Sequence, residues 1–264
     1  MLIDTHCHLE KAASRGELEG LLERMQSAGI GRCITVGTGT GDWERYLGLA
    51  KKYRGLIDWT VGLHPSDVDA DWEDAVRAIS TYFISEPGPV ALGEIGLDHF
   101  HLPKFPDEAA EVKARQLDAF RAQLELCLQL DCPVVIHSRN AVEACTEEID
   151  RSGVDWSKVV FHCYTEGPEL LKAINERGGR ASFTGILTYK NAEPIRKAAL
   201  AQGLDRLMLE TDAPYLSPEP VRGTTNEPAN VAHIARFAAD LFGVSLAELS
   251  AQTSANARAF YGLK

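Results

Sequence analysis

Leu2-Ile3-Asp4-Thr5-His6-Cys7-His8 is a short apolar run that ends in two imidazoles two residues apart. In a strand, side chains at that spacing share a face, so His6 and His8 can converge on one metal ion. Cys7 then points to the opposite face and packs. The fold must carry the carboxyl end of a buried strand to an open site.

Outward from this run, short apolar segments alternate with amphipathic ones along the chain. Candidate strands are Leu2 to Thr5, Arg32 to Val36, Asp58 to Gly62, Val90 to Glu94, Pro133 to His137, Lys158 to His162, Arg180 to Thr184 and Arg206 to Thr211. Helical periodicity marks Leu18 to Ala28, Trp43 to Tyr53, Trp72 to Ile84, Glu108 to Leu130, Val142 to Asp150, Pro168 to Arg177, Glu193 to Ala201, Val231 to Phe242 and Ser245 to Tyr261. Strands regularly followed by helices predict an α/β fold with parallel strands, and eight such repeats predict a (β/α)₈ TIM barrel. No linker or internal repeat divides the 264 residues, so residues 1–264 read as a single domain.

Composition narrows the class. The chain is 45% hydrophobic and 25% charged, as expected of an ordinary globular protein. Its formal charge of −11 argues against broad electrostatic capture of a polyanion, so any nucleic-acid contact must be local. The six cysteines contain no pair at CxxC spacing and read as reduced, packed thiols. No basic, apolar and small-residue succession marks a secretory signal near Met1, and the expected location is cytoplasmic.

Residues able to carry chemistry recur at the expected strand ends. Glu94, in Gly93-Glu94-Ile95-Gly96-Leu97-Asp98, is either a turn carboxylate or a ligand able to bridge two divalent ions. His137 closes Pro133-Val134-Val135-Ile136-His137, and His162 closes Val159-Val160-Phe161-His162. One such histidine would read as a satisfied core residue; two on adjacent strands, joined to His6 and His8, point to metal. Zinc accepts imidazole readily, and carboxylate company also suits manganese or magnesium. Asp212 can ligate a metal and accept a proton from water, whereas Glu210 shares its face as a supporting acceptor or as an inward barrel residue.

These segments, together with Gly62-Leu63-His64-Pro65, His137-Ser138-Arg139, His162-Cys163-Tyr164, Glu210 to Leu216 and Arg222-Gly223 with Asn226-Glu227-Pro228, resemble the TatD family of metal-dependent deoxyribonucleases, among the amidohydrolase-like barrels. The likeness extends over nearly the whole chain. It implies that His6, His8 and Asp212 hold one divalent ion, that His137 and His162 hold a second, and that Glu94 bridges them. It also implies that His64 stands near the scissile phosphate, unless it is only a turn residue before Pro65. Thr165-Glu166-Gly167 departs from the small polar residue and glycine found in much of the family. Phe183 to Asn191 is similar to a subgroup of bacterial TatD-like hydrolases.

The expected activity is hydrolysis of DNA at single-stranded or frayed ends, in the 3′ to 5′ direction that the resemblance implies. Two ions about 3.5–4 Å apart would activate water, with Asp212 as general base. Arg139 and Arg222 could bind phosphate, or else cap the rim and sit as a solvated loop charge, respectively. Tyr164, Tyr189 and Tyr215 could stack on bases or pack at the rim. The rival enzyme reading keeps the metals but cleaves an ester or amide, as in a D-aminoacyl-tRNA deacylase. A more remote rival is a nucleic-acid-binding protein without turnover.

Overall fold

The apolar runs become strands β1 (Leu2–Cys7), β2 (Ile30–Thr35), β3 (Ile57–Trp59), β4 (Leu92–Asp98), β5 (Val134–Arg139), β6 (Val159–Phe161), β7 (Arg180–Phe183) and β8 (Met208–Leu209) in a computed structural model that describes residues 1–264. All pairings are parallel, within a β1-β2-β3 sheet and a β4-β5-β6-β7-β8 sheet. Single bridges, Val61 to Leu92 and Cys7 to Ala213, join the two sheets into one ring. At the second seam the His8 amide donates to the Ala213 carbonyl at 2.7 Å and the Asp212 amide to the His6 carbonyl at 2.9 Å. The expected (β/α)₈ barrel is therefore present, and it closes at residues expected to carry chemistry.

The nine expected helices also form, joined by a short α1 (Glu10–Ser14) that periodicity did not reveal. The others are α2 (Leu18–Ser27), α3 (Trp43–Lys52), α4 (Trp72–Phe83), α5 (Pro106–Leu130), α6 (Val142–Ser152), α7 (Pro168–Arg177), α8 (Glu193–Gln202), α9 (Val231–Phe242) and α10 (Leu246–Tyr261). Local chemistry sets their ends. Pro168 opens α7, where its missing N–H costs nothing, and Gly178 ends it at φ +105°. Ser245 caps α10 by accepting from the Glu248 amide at 3.1 Å. No helix is long and apolar enough to cross a membrane.

Strand alternation divides the interior into two apolar layers. Ile3, Ile34, Val135, Val160 and Met208 fill the barrel with Phe260 and Tyr261 of α10, while Leu2, Cys33, Val134, Ile136, Phe161 and Leu209 pack in the larger cluster that includes the helices. Period two then carries β5 from Val135 to His137 and leads from Val160 of β6 to His162 just past it, and from Met208 of β8 to Glu210, whereas Asp212 follows in a turn at positive φ. In β1 and β4 the alternation breaks. Asp4 pairs with Cys33 but Cys7 with Thr35, and Leu92 pairs with Val134 but Ile95 with Ile136, so each strand carries one extra residue. These irregularities turn His6 and Glu94 toward the mouth although Ile3 and Ala91, three residues earlier in each case, point into the barrel.

Several strand ends differ from expectation: β3 stops at Trp59 rather than Gly62, β1 and β5 run on to Cys7 and Arg139, and two further differences shape the site. β4 continues past Glu94 to Asp98, because Gly93 and Gly96 adopt φ of +154° and +140° and let the chain remain paired to β5. The last ladder spans only Met208–Leu209, since beyond it Thr211 is captured by Asp4 and Asp212 takes a left-handed φ of +56°.

Candidate metal centre

Glu94 is the hub of the mouth, with its side chain 3% exposed and its two oxygens facing different groups. Oε2 lies 3.4 Å from His6 Nε2 and 3.9 Å from His8 Nε2. Oε1 lies 2.6 Å from His162 Nε2, 2.7 Å from His137 Nδ1 and 3.5 Å from His64 Nε2. Asp212 Oδ1 joins the first side, 3.4 Å from His8 Nε2 and 3.7 Å from His6 Nε2. The barrel thus gathers all six expected ligand residues, from β1, β4, β5, and the turns after β1, β6 and β8.

Further polar side chains stand behind some of these rings, while His6 Nδ1 is buried without a partner. Asp98 Oδ2, 3.3 Å from His137 Nε2, leaves Nδ1 to face Glu94. Glu210 Oε1 lies 3.5 Å from His162 Nδ1, an ion-pair contact without hydrogen-bond geometry, on the opposite side of the ring from Glu94. Glu210 is also bonded by Ser182 Oγ and the Cys163 amide, each at 2.6 Å, so it is an inward barrel residue and a supporting acceptor at once. His64 differs. Its Nδ1 accepts from the Ser66 amide at 3.0 Å, which leaves the proton of the neutral ring on Nε2. His64 shares a possible ligand set with Glu94 and His137, yet in this tautomer it offers a hydrogen bond rather than a lone pair.

Asp4 and Asp98 are supporting residues to which sequence reasoning gave no role, although both stood inside quoted motifs. Asp4 accepts from Thr211 twice, amide to Oδ1 at 2.9 Å and hydroxyl to Oδ2 at 2.6 Å, and so ties β1 to the turn that presents Asp212. Burial pushes its carboxyl up to about 8 against these bonds. The available signal was position: Asp4 stands two residues before His6, and Asp98 four after Glu94.

The electrostatics suit cations. Burial raises Glu94 and Asp212, but it is outweighed by His162, His64 and His6 around Glu94, and by His8 and His6 around Asp212, so both carboxyls fall below the usual carboxylate range. Burial lowers His6, with His162 adding to the effect, and burial lowers His64. At His162 burial is overcome by Glu94 and Glu210, at His8 by Asp212 and Glu94, and at His137 by Asp98 and Glu94; all three rise. Protons on these rings balance the buried carboxylates, and divalent ions can take their place. His6 Nε2 and His8 Nε2 stand only 3.3 Å apart, and three sets of donor atoms each converge within 4.8 Å, so the residues present fit metal.

A cleft of about 850 Å³ opens above the cluster, and Arg139 and Tyr215 are among the residues lining it. Of the expected site residues, fully buried His6 lies outside the cleft lining but within the cluster, and Arg222 belongs to neither. Its guanidinium lies 4.1 Å from the Tyr189 ring centroid and 3.9 Å from Glu219. Tyr164 and Tyr189 are tied at the rim by bonds to the Gly167 and Ser217 carbonyls, at 2.8 and 2.9 Å. Cys7 packs behind the site with its Sγ 3.4 Å from the Ile34 carbonyl, as the alternation predicted.

An eight-stranded parallel barrel with buried histidines and carboxylates converging at its carboxyl mouth defines the class of metal-dependent hydrolases. Within it, the chain belongs to the family described as TatD related DNase, whose model matches residues 3–262. It is 34% identical over 266 residues to the metal-dependent hydrolase YcfH of Escherichia coli, covering 98% of this chain and 96% of that one. It is 30% identical over 267 residues to a protein of Erwinia amylovora named 3′-5′ ssDNA/RNA exonuclease TatD, covering 99% of this chain and all of the other. Among solved structures, the TatD homologue YjjV of Escherichia coli superposes with a TM-score of 0.89 at 26% identity, covering 100% of this chain and 98% of that one.

Proposed function

We propose that this metal-dependent hydrolase is a 3′-5′ exodeoxyribonuclease that cleaves phosphodiesters at single-stranded or frayed DNA ends with two divalent ions. The observation that carries the reading is the division of Glu94: Oε2 faces His6 and His8, and Oε1 faces His137 and His162. His6, His8 and Asp212 would hold one ion, His137 and His162 the other, and Glu94 both. Zinc, manganese and magnesium all suit this donor set. The Erwinia relative's name supports a nucleic-acid substrate and the direction of cleavage.

Bound divalent ions acidify water and offset charge on phosphoryl oxygens. Asp212, held anionic and aimed into the mouth, takes the proton of the attacking water. The water oxygen bonds to phosphorus, the P–O ester bond opposite breaks, and the departing oxygen takes up a proton from solvent. His64 donates Nε2–H to a phosphoryl oxygen, and Arg139 reaches another from the rim. Asp98 keeps His137 turned inward, and Glu210 stands behind the His162 ring. Residues 1–264 act as one domain, since the first and last strands share a seam. The six free thiols, five of them buried, suit a reducing compartment such as the cytoplasm.

The test is a substrate panel with metal-loaded protein. Single-stranded DNA should be degraded, and Glu94→Gln and Asp212→Asn should abolish this while circular dichroism shows an intact fold. Efficient deacylation of a D-aminoacyl-tRNA beside negligible nuclease activity would replace this reading with its rival. Tight DNA binding without turnover under Mg²⁺, Mn²⁺ or Zn²⁺ would favour a binding protein.

A further inference from the structure

Two exposed aromatic rings, each with a cation against it, face the cleft from different walls. Phe100, just past β4, is 57% exposed, with the Arg139 guanidinium carbon 4.4 Å from its ring centroid. Tyr215, past β8, is 52% exposed, with Lys11 Nζ 5.5 Å from its centroid. Arg139 ends β5 and Lys11 follows β1. In the closed ring the β4/β5 and β8/β1 seams are separated by four strands in either direction, so the pairs lie on opposite walls. All four residues line the cleft that contains Glu94 and Asp212.

Neither ring rides on a loose segment. The Phe100 amide donates to Asp98 Oδ1 at 2.8 Å, the same carboxylate that orients His137. The Tyr215 amide donates to the Asp212 carbonyl at 2.9 Å, and the Tyr215 carbonyl accepts from Asn226 Nδ2 at 2.6 Å. Groups that build the centre therefore also fix these rings in solvent. Each ring also meets a histidine edge to face, Phe100 that of His101 at 4.9 Å and Tyr215 that of His8 at 6.3 Å between centroids, yet stays more than half exposed. An exposed aromatic ring can take a nucleobase, and a cation beside it can pair with the adjoining phosphate. On a chain of formal charge −11, recognition of a polyanion must rest on such local pairs.

We propose that Phe100 with Arg139, and Tyr215 with Lys11, are two base-stacking subsites on either side of the scissile phosphate. A single strand then crosses the mouth from the β4/β5 wall to the β8/β1 wall. This deepens the phosphodiesterase reading and rests on it. Each subsite takes one nucleotide, so discrimination is by the presence of a base rather than by its identity.

The experiment compares kcat/KM for a single-stranded oligodeoxynucleotide with those for versions abasic on one side or the other of the scissile bond, using metal-loaded protein. The wild type should prefer the intact strand by about 5- to 100-fold on each side. Phe100→Ala should lose the preference on one side and Tyr215→Ala on the other, and the Leu variants provide a second test should either Ala variant fold poorly. Phe105→Ala, which removes a ring 68% exposed outside the cleft lining, should retain both preferences. Anisotropy of a labelled strand in EDTA should show the same pattern in affinity without metal. Preferences that survive in the Phe100 and Tyr215 variants, or vanish equally in Phe105→Ala, would overturn the subsites. Equal cleavage of intact and abasic strands by the wild type would overturn them and leave the phosphodiesterase reading standing, whereas hydrolysis of neither would remove both.

Discussion

Asp98 sets the orientation of His137: its Oδ2 lies 3.3 Å from Nε2, so that Nδ1 meets Glu94 Oε1 at 2.7 Å. A ring held at one nitrogen presents the other in a fixed direction, and loss of such a partner typically weakens metal affinity by about 10- to 100-fold. Asp98→Asn should therefore require more divalent ion for half-maximal activity, with much of the rate recovered at saturation. Titration of hydrolysis against metal concentration measures this. An unchanged metal dependence would remove Asp98 from the centre.

Gly96 lies at φ +140°, and a Cβ there would overlap the His137 carbonyl of the neighbouring strand. Backbone of β5 cannot give way as a flexible side chain would. Gly96→Ala should cost more than about 2 kcal/mol of stability, from strain and steric overlap together. Urea unfolding would show it as a lower midpoint.

Thr211 donates its hydroxyl to the buried Asp4 carboxyl group across the β8/β1 seam, at 2.6 Å. Thr211→Val keeps the shape and removes that donor from a buried acceptor. The loss should be about 1–3 kcal/mol. A thermal melt would register it, and activity should fall with it because the same seam positions His6 and Asp212.

Away from the mouth, Glu148 of α6 accepts from Arg121 Nε of α5 at 2.7 Å and from Nη2 at 3.1 Å. Arg121 holds the Glu148 carboxyl below its ordinary value of 4.5. A lowered folded-state value stabilises the native protein above the unfolded value, and the contribution disappears as pH falls through the folded one. Glu148→Gln should accordingly be less stable than wild type at pH 7, and the gap should narrow below about pH 4.5. Denaturation curves across that range test the sign.

Where alternation is regular, the sequence was a sufficient guide. Val135 to His137, Val160 to His162 and Met208 to Glu210 each keep period two from the barrel interior toward the mouth, and Asp212 reaches it through a turn instead. His6 and Glu94 were legible as strand-end ligands, yet Ile3 and Ala91 have the wrong parity for them, and only the extra residue in β1 and β4 reconciles the two. Such bulges depend on pairing with another strand and leave little trace in their own. The tautomer of His64 was invisible for a similar reason, because it depends on the Ser66 amide and not on the histidine's neighbours in a motif. Arg139, two residues after His137, and Arg222, in a glycine-flanked loop, were both read as possible phosphate ligands, but only tertiary packing could place Arg222 on Tyr189 and outside the cleft.

The central claim is that Glu94 joins two ions, one through each carboxylate oxygen. Protein saturated with Mn²⁺ or Zn²⁺, freed of loosely held metal and analysed by elemental mass spectrometry, should carry two ions per chain. Glu94→Gln should carry fewer than one. One ion or none in the active wild type, or two retained by the variant, would contradict the account.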